Sequence, residues 1–241
     1  IVDEYGAHHH ETTFGFPIRE LPNGMEQPSF LRDAILAARV LHVFMRRADR
    51  VSAANLSISI NVLHAALKTD GPLLIRTPTF HVLDMLKEHM NADAVRVHGD
   101  LGVFEVAQEH KADTLPKLGG FGISEVAQDG DAHTLPNLDV VASATSDGQG
   151  VFVSIVNLRL DRTENIRLRV RGDDDYKIGS ATATVLTGSD PLDINDSEKP
   201  DRIKPRAVLL HKEGEELVLS CAPFSLTGVK IVRAESRAAI P

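Results

Sequence analysis

The sequence has no tryptophan, only two tyrosines and nine phenylalanines, and a single cysteine, Cys221. With aromatics at 5%, it is lean for a protein that grips flat ligands by itself. A lone cysteine excludes an intrachain disulfide and fits a reducing compartment. No apolar run approaches the roughly 18–20 residues a membrane helix needs, so no membrane partner is expected. Basic residues are outnumbered 26 to 34, for a formal charge of −8. Nucleic acid, whose phosphates call for a basic face, is thereby set aside as a default partner. A start methionine and a targeting leader are also missing: Ile1-Val2 runs straight into Asp3-Glu4. The opening residues already read as the middle of a strand, and we expect a piece of a longer protein.

What is present is ordinary globular material, 42% hydrophobic and 25% charged over 241 residues. That length suits one large domain or two modest ones at roughly 100–200 residues each. Residues 1–92 read as α/β. Ile1–Tyr5 is a short strand, followed by a loop punctuated with Gly6, Gly15, Pro17, Pro22, Gly24 and Pro28. Ser29 is the expected N-cap of a helix from Phe30 to Arg47, in which Leu31, Ala34, Ile35, Ala38, Leu41 and Met45 recur at helical spacing. A short strand is expected at Val51–Ala54, then an apolar stretch from Leu56 to Leu67 that Asp70-Gly71-Pro72 breaks. Leu73-Leu74-Ile75 follows as an apolar run, and Thr79 is the expected cap of a last helix from Phe80 to about Met90. The alternation of strand and helix is the grammar of a parallel sheet.

Residues 93–241 change register. Short alternating strands at 151–156, 166–170, 181–186, 207–210, 216–219 and 228–232 indicate an antiparallel sandwich, with Asp190 to Pro205 as a polar crossover or surface loop. A tandem duplication occupies 102–138: Gly102-Val103-Phe104-Glu105-Val106-Ala107-Gln108 recurs as Gly122-Ile123-Ser124-Glu125-Val126-Ala127-Gln128. Two copies are too few for a solenoid.

Few residues present themselves for chemistry. Asp3-Glu4, at the end of the first strand, stands where barrel enzymes keep catalytic groups, although a solvated acidic pair reads the same way. His8-His9-His10 cannot converge on one ion from consecutive positions, and His10-Glu11-Thr12-Thr13-Phe14 lacks the second histidine of a zinc-peptidase helix, so no metal is expected. Cys221 lies in the apolar strand Val218–Ala222 and reads as a buried small hydrophobe. Asn55-Leu56-Ser57 and Asn195-Asp196-Ser197 match the glycosylation triplet, a common chance match.

Five segments occur in a telling order: Ile1-Val2-Asp3-Glu4-Tyr5-Gly6, Phe30-Leu31-Arg32-Asp33-Ala34, Arg47-Ala48-Asp49-Arg50-Val51, Asn61-Val62-Leu63 and Thr77-Pro78-Thr79-Phe80-His81-Val82. Together with Thr134-Leu135-Pro136-Asn137-Leu138-Asp139 and Val153-Ser154-Ile155-Val156-Asn157-Leu158, they resemble the C-terminal part of the α-L-arabinofuranosidases of glycoside hydrolase family 51. The resemblance implies a fold of class α/β plus all-β, in which C-terminal βα units of a (β/α)₈ TIM barrel (1–92) precede a jelly-roll-like antiparallel β-sandwich (93–241). It implies a retaining, exo-acting hydrolase that removes terminal arabinofuranosyl residues from oligo- and polysaccharides, needs no cofactor, and works in the cytoplasm. Glu4 falls on the family's nucleophile. The acid/base carboxyl falls upstream of Ile1, on an N-terminal barrel segment or chain that this one would need as partner. His8 replaces a tryptophan of the sugar pocket and Arg76 a glutamine, which makes them the expected substrate-binding positions. Family members are often hexamers, so a homo-oligomer is a further implied partner. The alternative is a non-catalytic accessory or carbohydrate-binding β-sandwich fragment.

Overall fold

The computed structural model describes residues 1–6, 26–99, 103–106, 133–171 and 176–234. Its largest element is a six-stranded sheet. The strands are β5 (Asp93–Val95), β8 (Leu138–Ala144), β9 (Gly150–Asn157), β11 (Ile178–Leu186), β12 (Arg206–Val208) and β15 (Ser225–Arg233). They lie in the order β12-β11-β15-β9-β8-β5, every pair antiparallel. A three-stranded sheet of β10 (Glu164–Leu168), β14 (Glu216–Cys221) and β13 (Leu210–Glu213) packs against one face. The two sheets share an apolar core of Leu138, Val151, Val153, Ile155, Leu217, Leu219, Cys221, Val229 and Ile231. This is the antiparallel β-sandwich expected from the short alternating strands.

The opposite face of the six-stranded sheet carries two helices, α1 (Leu31–Arg46) and α2 (Pro78–Leu86). Leu31, Ala34, Ile35 and Ala38 of α1 and Val82 and Leu86 of α2 meet Val156, Leu186 and Leu226 of the sheet, with Ile203 closing the cluster. Strand β9 is therefore buried on both faces: Val151, Val153 and Ile155 point into the sandwich, and Val156 points to the helices. The same second core joins helices from the α/β part to strands beyond residue 93.

Before the sandwich, β1 (Val2–Tyr5) and β2 (Ala54–Leu56) pair in parallel, with α1 in the connection between them. The strand expected at Val51–Ala54 thus starts later, at Ala54. The next pair departs from parallel grammar: β3 (Leu67–Asp70) and β4 (Leu73–Arg76) form an antiparallel hairpin closed by Gly71-Pro72. Gly71 has φ +53°, a conformation free of strain only without a Cβ. The interruption of the apolar stretch expected at Asp70-Gly71-Pro72 is a hairpin turn. Within the duplicated segment, β6 (Val103–Val106) pairs with β7 (His133–Pro136), and Leu138 opens β8; residue 102 and residues 107–132 lie outside the described residues.

Both helix caps differ from the sequence reading. Phe30, not Ser29, occupies the N-cap of α1. The Asp33 carboxylate accepts from the Phe30 amide at 2.7 Å, and the amides of Leu31 and Arg32 donate to the carbonyls of Asp193 and Pro191, both at 2.9 Å. A distant loop thereby takes the orphan N–H groups that a capping side chain would satisfy. Ser29 instead shares a hydrogen bond with Thr79 at 3.2 Å, two buried hydroxyls between the helix starts. Helix α2 is capped by Thr77, whose Oγ1 accepts from Phe80 N and donates to the Ala65 carbonyl, with Pro78 in the first helical position. It ends at Leu86, and a 3₁₀ turn, Lys87–His89, completes the segment.

The seam between α1 and the sheet is also polar. His42 is fully buried on the stripe that faces the sheet, and its Nε2 is 2.8 Å from Ser154 Oγ. Asp139, 5% exposed, accepts from Arg46 at 2.5 Å and faces His42 Nδ1 at 3.4 Å and Arg39 at 3.6 Å. Burial alone would push its carboxyl up, but the hydrogen bonds and charges of His42 and Arg46 outweigh this and bring it from 3.8 to about 2. Nearby, His89 shares a hydrogen bond with Ser143 at 2.8 Å. Burial, and then the neighbouring His42, lower its imidazole from 6.5 to about 4.

Both shifts are downward, so the folded state binds fewer protons than the unfolded one, and stability falls as the solution is acidified. The loss from His89 should run from pH 6.5 to about 4, and that from Asp139 from 3.8 to about 2. Asp139→Asn should lower stability near pH 7 by about 1–3 kcal/mol, a range reduced because Arg46 remains partly solvated. The difference from wild type should shrink towards pH 2. Urea unfolding at pH 7, 5 and 3 measures both; a pH-independent difference would contradict the assignment.

Candidate active site

The described acidic pair sits on β1, whose ladder with β2 is irregular. Val2 pairs with Ala54 and Tyr5 with Leu56, so β1 carries one more residue than β2 across Asp3-Glu4. Such a bulge re-aims side chains, and simple strand alternation therefore does not fix how Asp3 and Glu4 diverge. Their partners do distinguish them. The Ser57 hydroxyl donates to Glu4 Oε1, while no hydrogen bond or ion pair ties Asp3 to another described residue. Ser57 directly follows β2 and is 5% exposed, and its amide continues the ladder by donating to the Tyr5 carbonyl at 2.8 Å. Glu4 itself is exposed.

Behind this pair, the imidazole of buried His64 lies against Gly6. A β-carbon at Gly6 would overlap the ring and come within 3.5 Å of Ser57 Cβ. The glycine is needed for close approach, not for its φ. Tyr5 packs edge-on against Phe44 of α1, with centroids 5.3 Å apart, and burial pushes its phenol up to about 12.

The segment that delivers Ser57 and His64 is under backbone strain. Ile58, Asn61 and Leu63 have φ of +41°, +65° and +54°. Asparagine tolerates this region, and Asn61 is held there by Thr69, whose amide donates to Asn61 Oδ1 at 2.7 Å. A β-branched Ile58 does not tolerate it without a penalty, and such residues tend to cluster at functional sites.

Arg76, at the end of β4, is exposed, and its guanidinium lies 5.3 Å from the centre of the Phe80 ring. Among the described residues no hydrogen bond or ion pair links it to Glu4. Its carbonyl accepts from Asn195 Nδ2 at 2.8 Å, and the same amide group bonds both ways with the Ile203 backbone. Asn195 is thus committed inside the crossover loop, which excludes it as a glycosylation acceptor in the folded chain. His8, with the histidine run, lies outside the described residues, as do Glu11 and Glu20. Among the described residues no group of three or more His, Cys, Asp or Glu side chains is placed to hold a metal ion.

Other constellations fail on access or reactivity. Asp139, His42 and Ser154 imitate the acid–base–nucleophile order of a hydrolase triad, but Ser154 is 1% exposed beneath α1 and no substrate reaches it. Cys221 is buried and its thiol is pushed by burial up to about 11, the opposite of an activated nucleophile. The sequence offered no motif for Ser57 or His64. Ser57 appeared only as the third member of a chance glycosylation triplet.

The chain thus combines an α/β unit, with an exposed carboxylate near the end of a parallel strand, and an antiparallel sandwich on which its helices lie. The family model for the α-L-arabinofuranosidase C-terminal domain matches residues 3–225, and the chain belongs to that family. A curated relative, an intracellular exo-α-L-arabinofuranosidase of Bacteroides ovatus, is 28% identical over 179 residues, covering 74% of this chain and 30% of its own length. Among solved structures, the GH51 arabinofuranosidase of Xanthomonas axonopodis pv. citri matches 96% of this chain and 40% of its own, with TM-score 0.70 and 22% identity. The α-L-arabinofuranosidase of Thermotoga maritima, solved as an arabinose complex, matches 96% and 42%, with TM-score 0.70 and 23% identity. The chain therefore spans well under half the length of these relatives.

Gly6→Ala should displace His64 and lower the unfolding free energy by about 1–3 kcal/mol, as overpacking does. Adding His64→Ala should recover most of that loss, because the smaller side chain frees the space. Unfolding midpoints of the single and double variants decide it: additive losses would show that the ring is not what Gly6 accommodates.

Proposed function

We propose that this chain supplies the nucleophile-bearing, C-terminal part of a retaining exo-α-L-arabinofuranosidase that removes terminal arabinofuranosyl residues from oligo- and polysaccharides. The observation that carries the reading is Glu4, an exposed carboxylate at the end of a parallel strand, oriented by Ser57, in a chain of the arabinofuranosidase family. Residues 1–92 would be the closing βα units of a (β/α)₈ barrel and 93–241 the sandwich that backs them. The parallel β1–α1–β2 unit supports the barrel assignment.

Retaining hydrolysis uses two carboxyl groups about 5–5.5 Å apart. One attacks the anomeric carbon while the other protonates the leaving oxygen; water then releases the sugar with the second group acting as base. Glu4 fills the first role. Glu26, whose backbone bridges Val62, lies on a separate segment and is not assigned the second. The acid/base comes from a barrel segment or chain that completes the site, and His8 and Arg76 line the sugar pocket there. The same reading places the enzyme in the cytoplasm, working without a cofactor and assembling as a homo-oligomer.

The 241-residue chain alone should not turn over an aryl arabinofuranoside; measurable activity would contradict the need for a partner segment. In the completed enzyme, Glu4→Ala should reduce turnover to below about one per cent, a barrier increase of about 2.7 kcal/mol or more. Azide should then restore cleavage of an activated substrate and give an arabinofuranosyl azide of inverted configuration. Retention of the wild-type rate by Glu4→Ala would remove Glu4 from the mechanism.

A further inference from the structure

We propose that Ser57 is a positioning residue for Glu4, fixing which carboxylate oxygen attacks the sugar; this rests on the reading of Glu4 as nucleophile. Ser57 is buried directly after β2, and its hydroxyl donates to Oε1 of Glu4. Oε2 has no hydrogen-bond partner among the described residues. The contact therefore fixes the carboxylate plane and leaves Oε2 to form the bond to the anomeric carbon.

The backbone around Ser57 holds that hydroxyl in place. Its amide is tied to the Tyr5 carbonyl at 2.8 Å, one residue beyond Glu4. The bulge across Asp3-Glu4 turns β1 at the position where the carboxylate must meet the hydroxyl. The His64 ring packs on Gly6, and the Ser57 side chain approaches the same glycine, so Gly6 lets both come close to the end of β1. The nucleophile thus lies on β1 and the positioning hydroxyl directly after the adjacent parallel β2, their relative placement set by main-chain bonds, as preorganisation requires.

In the first chemical step Oε2 bonds to the anomeric carbon as the bond to the leaving oxygen breaks, the proton for that oxygen coming from the acid carboxyl. Oε1 becomes the carbonyl oxygen of the glycosyl ester and still accepts from Ser57. When water displaces the ester, negative charge returns to the carboxylate and the same hydroxyl stabilises it. A neutral donor to a carboxylate serves both steps without changing the net charge of the site.

The contact is tested first on the 241-residue chain by carbon NMR at pH 7. The Glu4 side-chain carboxylate resonance should move in Ser57→Ala and stay near its wild-type position in Ser57→Thr, which keeps a hydroxyl. An unmoved resonance in Ser57→Ala overturns the proposal. Its role is tested in the completed enzyme with an aryl arabinofuranoside. Ser57→Ala should lower kcat about tenfold with KM within twofold, and Ser57→Thr should recover most of that loss. In the Glu4→Gly background with azide as nucleophile, Ser57→Ala should change the rate less than twofold, because the hydroxyl acts only through Glu4. An equal loss in both backgrounds, or wild-type kcat for Ser57→Ala, overturns the positioning role. Full activity of Glu4→Gly overturns the nucleophile assignment, a separate failure that the NMR result does not share.

Discussion

The architecture depends on β9 being apolar on both faces. A strand exposed on one side alternates apolar and polar residues, whereas Val151 to Val156 is nearly unbroken hydrophobe interrupted by Ser154. One face takes the side chains of the three-stranded sheet, the other takes α1 and α2. The helices of the α/β part are consequently not an appendage to the sandwich, since they supply a wall of its central strand. Ser154, the polar residue within that apolar run, is matched by His42 of α1, so the break in the run is satisfied across the seam.

How much of this was legible in the sequence follows from the range of the forces involved. Helix α1 and strands β9, β14 and β15 announced themselves because their periodicity is strong and local. The caps did not. Ser29 and Thr79 are good capping residues by type, yet Ser29 lost its place to carbonyls of Asp193 and Pro191, which no local pattern can foresee. Thr79 lost to Thr77, where Pro78 in the next position was the overlooked signal. The β3–β4 hairpin was disguised as part of an alternating strand-and-helix series, although its Asp70-Gly71-Pro72 turn was located.

The candidate site divides the same way. Glu4 was legible through a motif, since an acidic pair closing a strand is a property of neighbours in sequence. Ser57 and His64 were not, because a hydroxyl 53 positions away becomes a partner only when two strands pair in parallel. The network of Asp139, His42 and Ser154 is a similar case, spread over three elements and visible only once they are packed.

The order of strands in the large sheet has a consequence for how the chain matures on the ribosome. Strand β15 follows every other strand of that sheet in sequence, yet it lies inside the sheet, between β11 and β9. Until it emerges, β9 and β11 expose unpaired edges, and Leu226 is not there to complete the core against α1 and α2. Contacts of such long sequence separation form late and slowly. Helix α1, made before every strand of that sheet, must wait for the crossover loop to cap it and for β15 to close the sheet beneath it. The segment bearing Glu4 therefore reaches its final support only after β15 has been made, and a chain interrupted before it would present open strand edges to its neighbours.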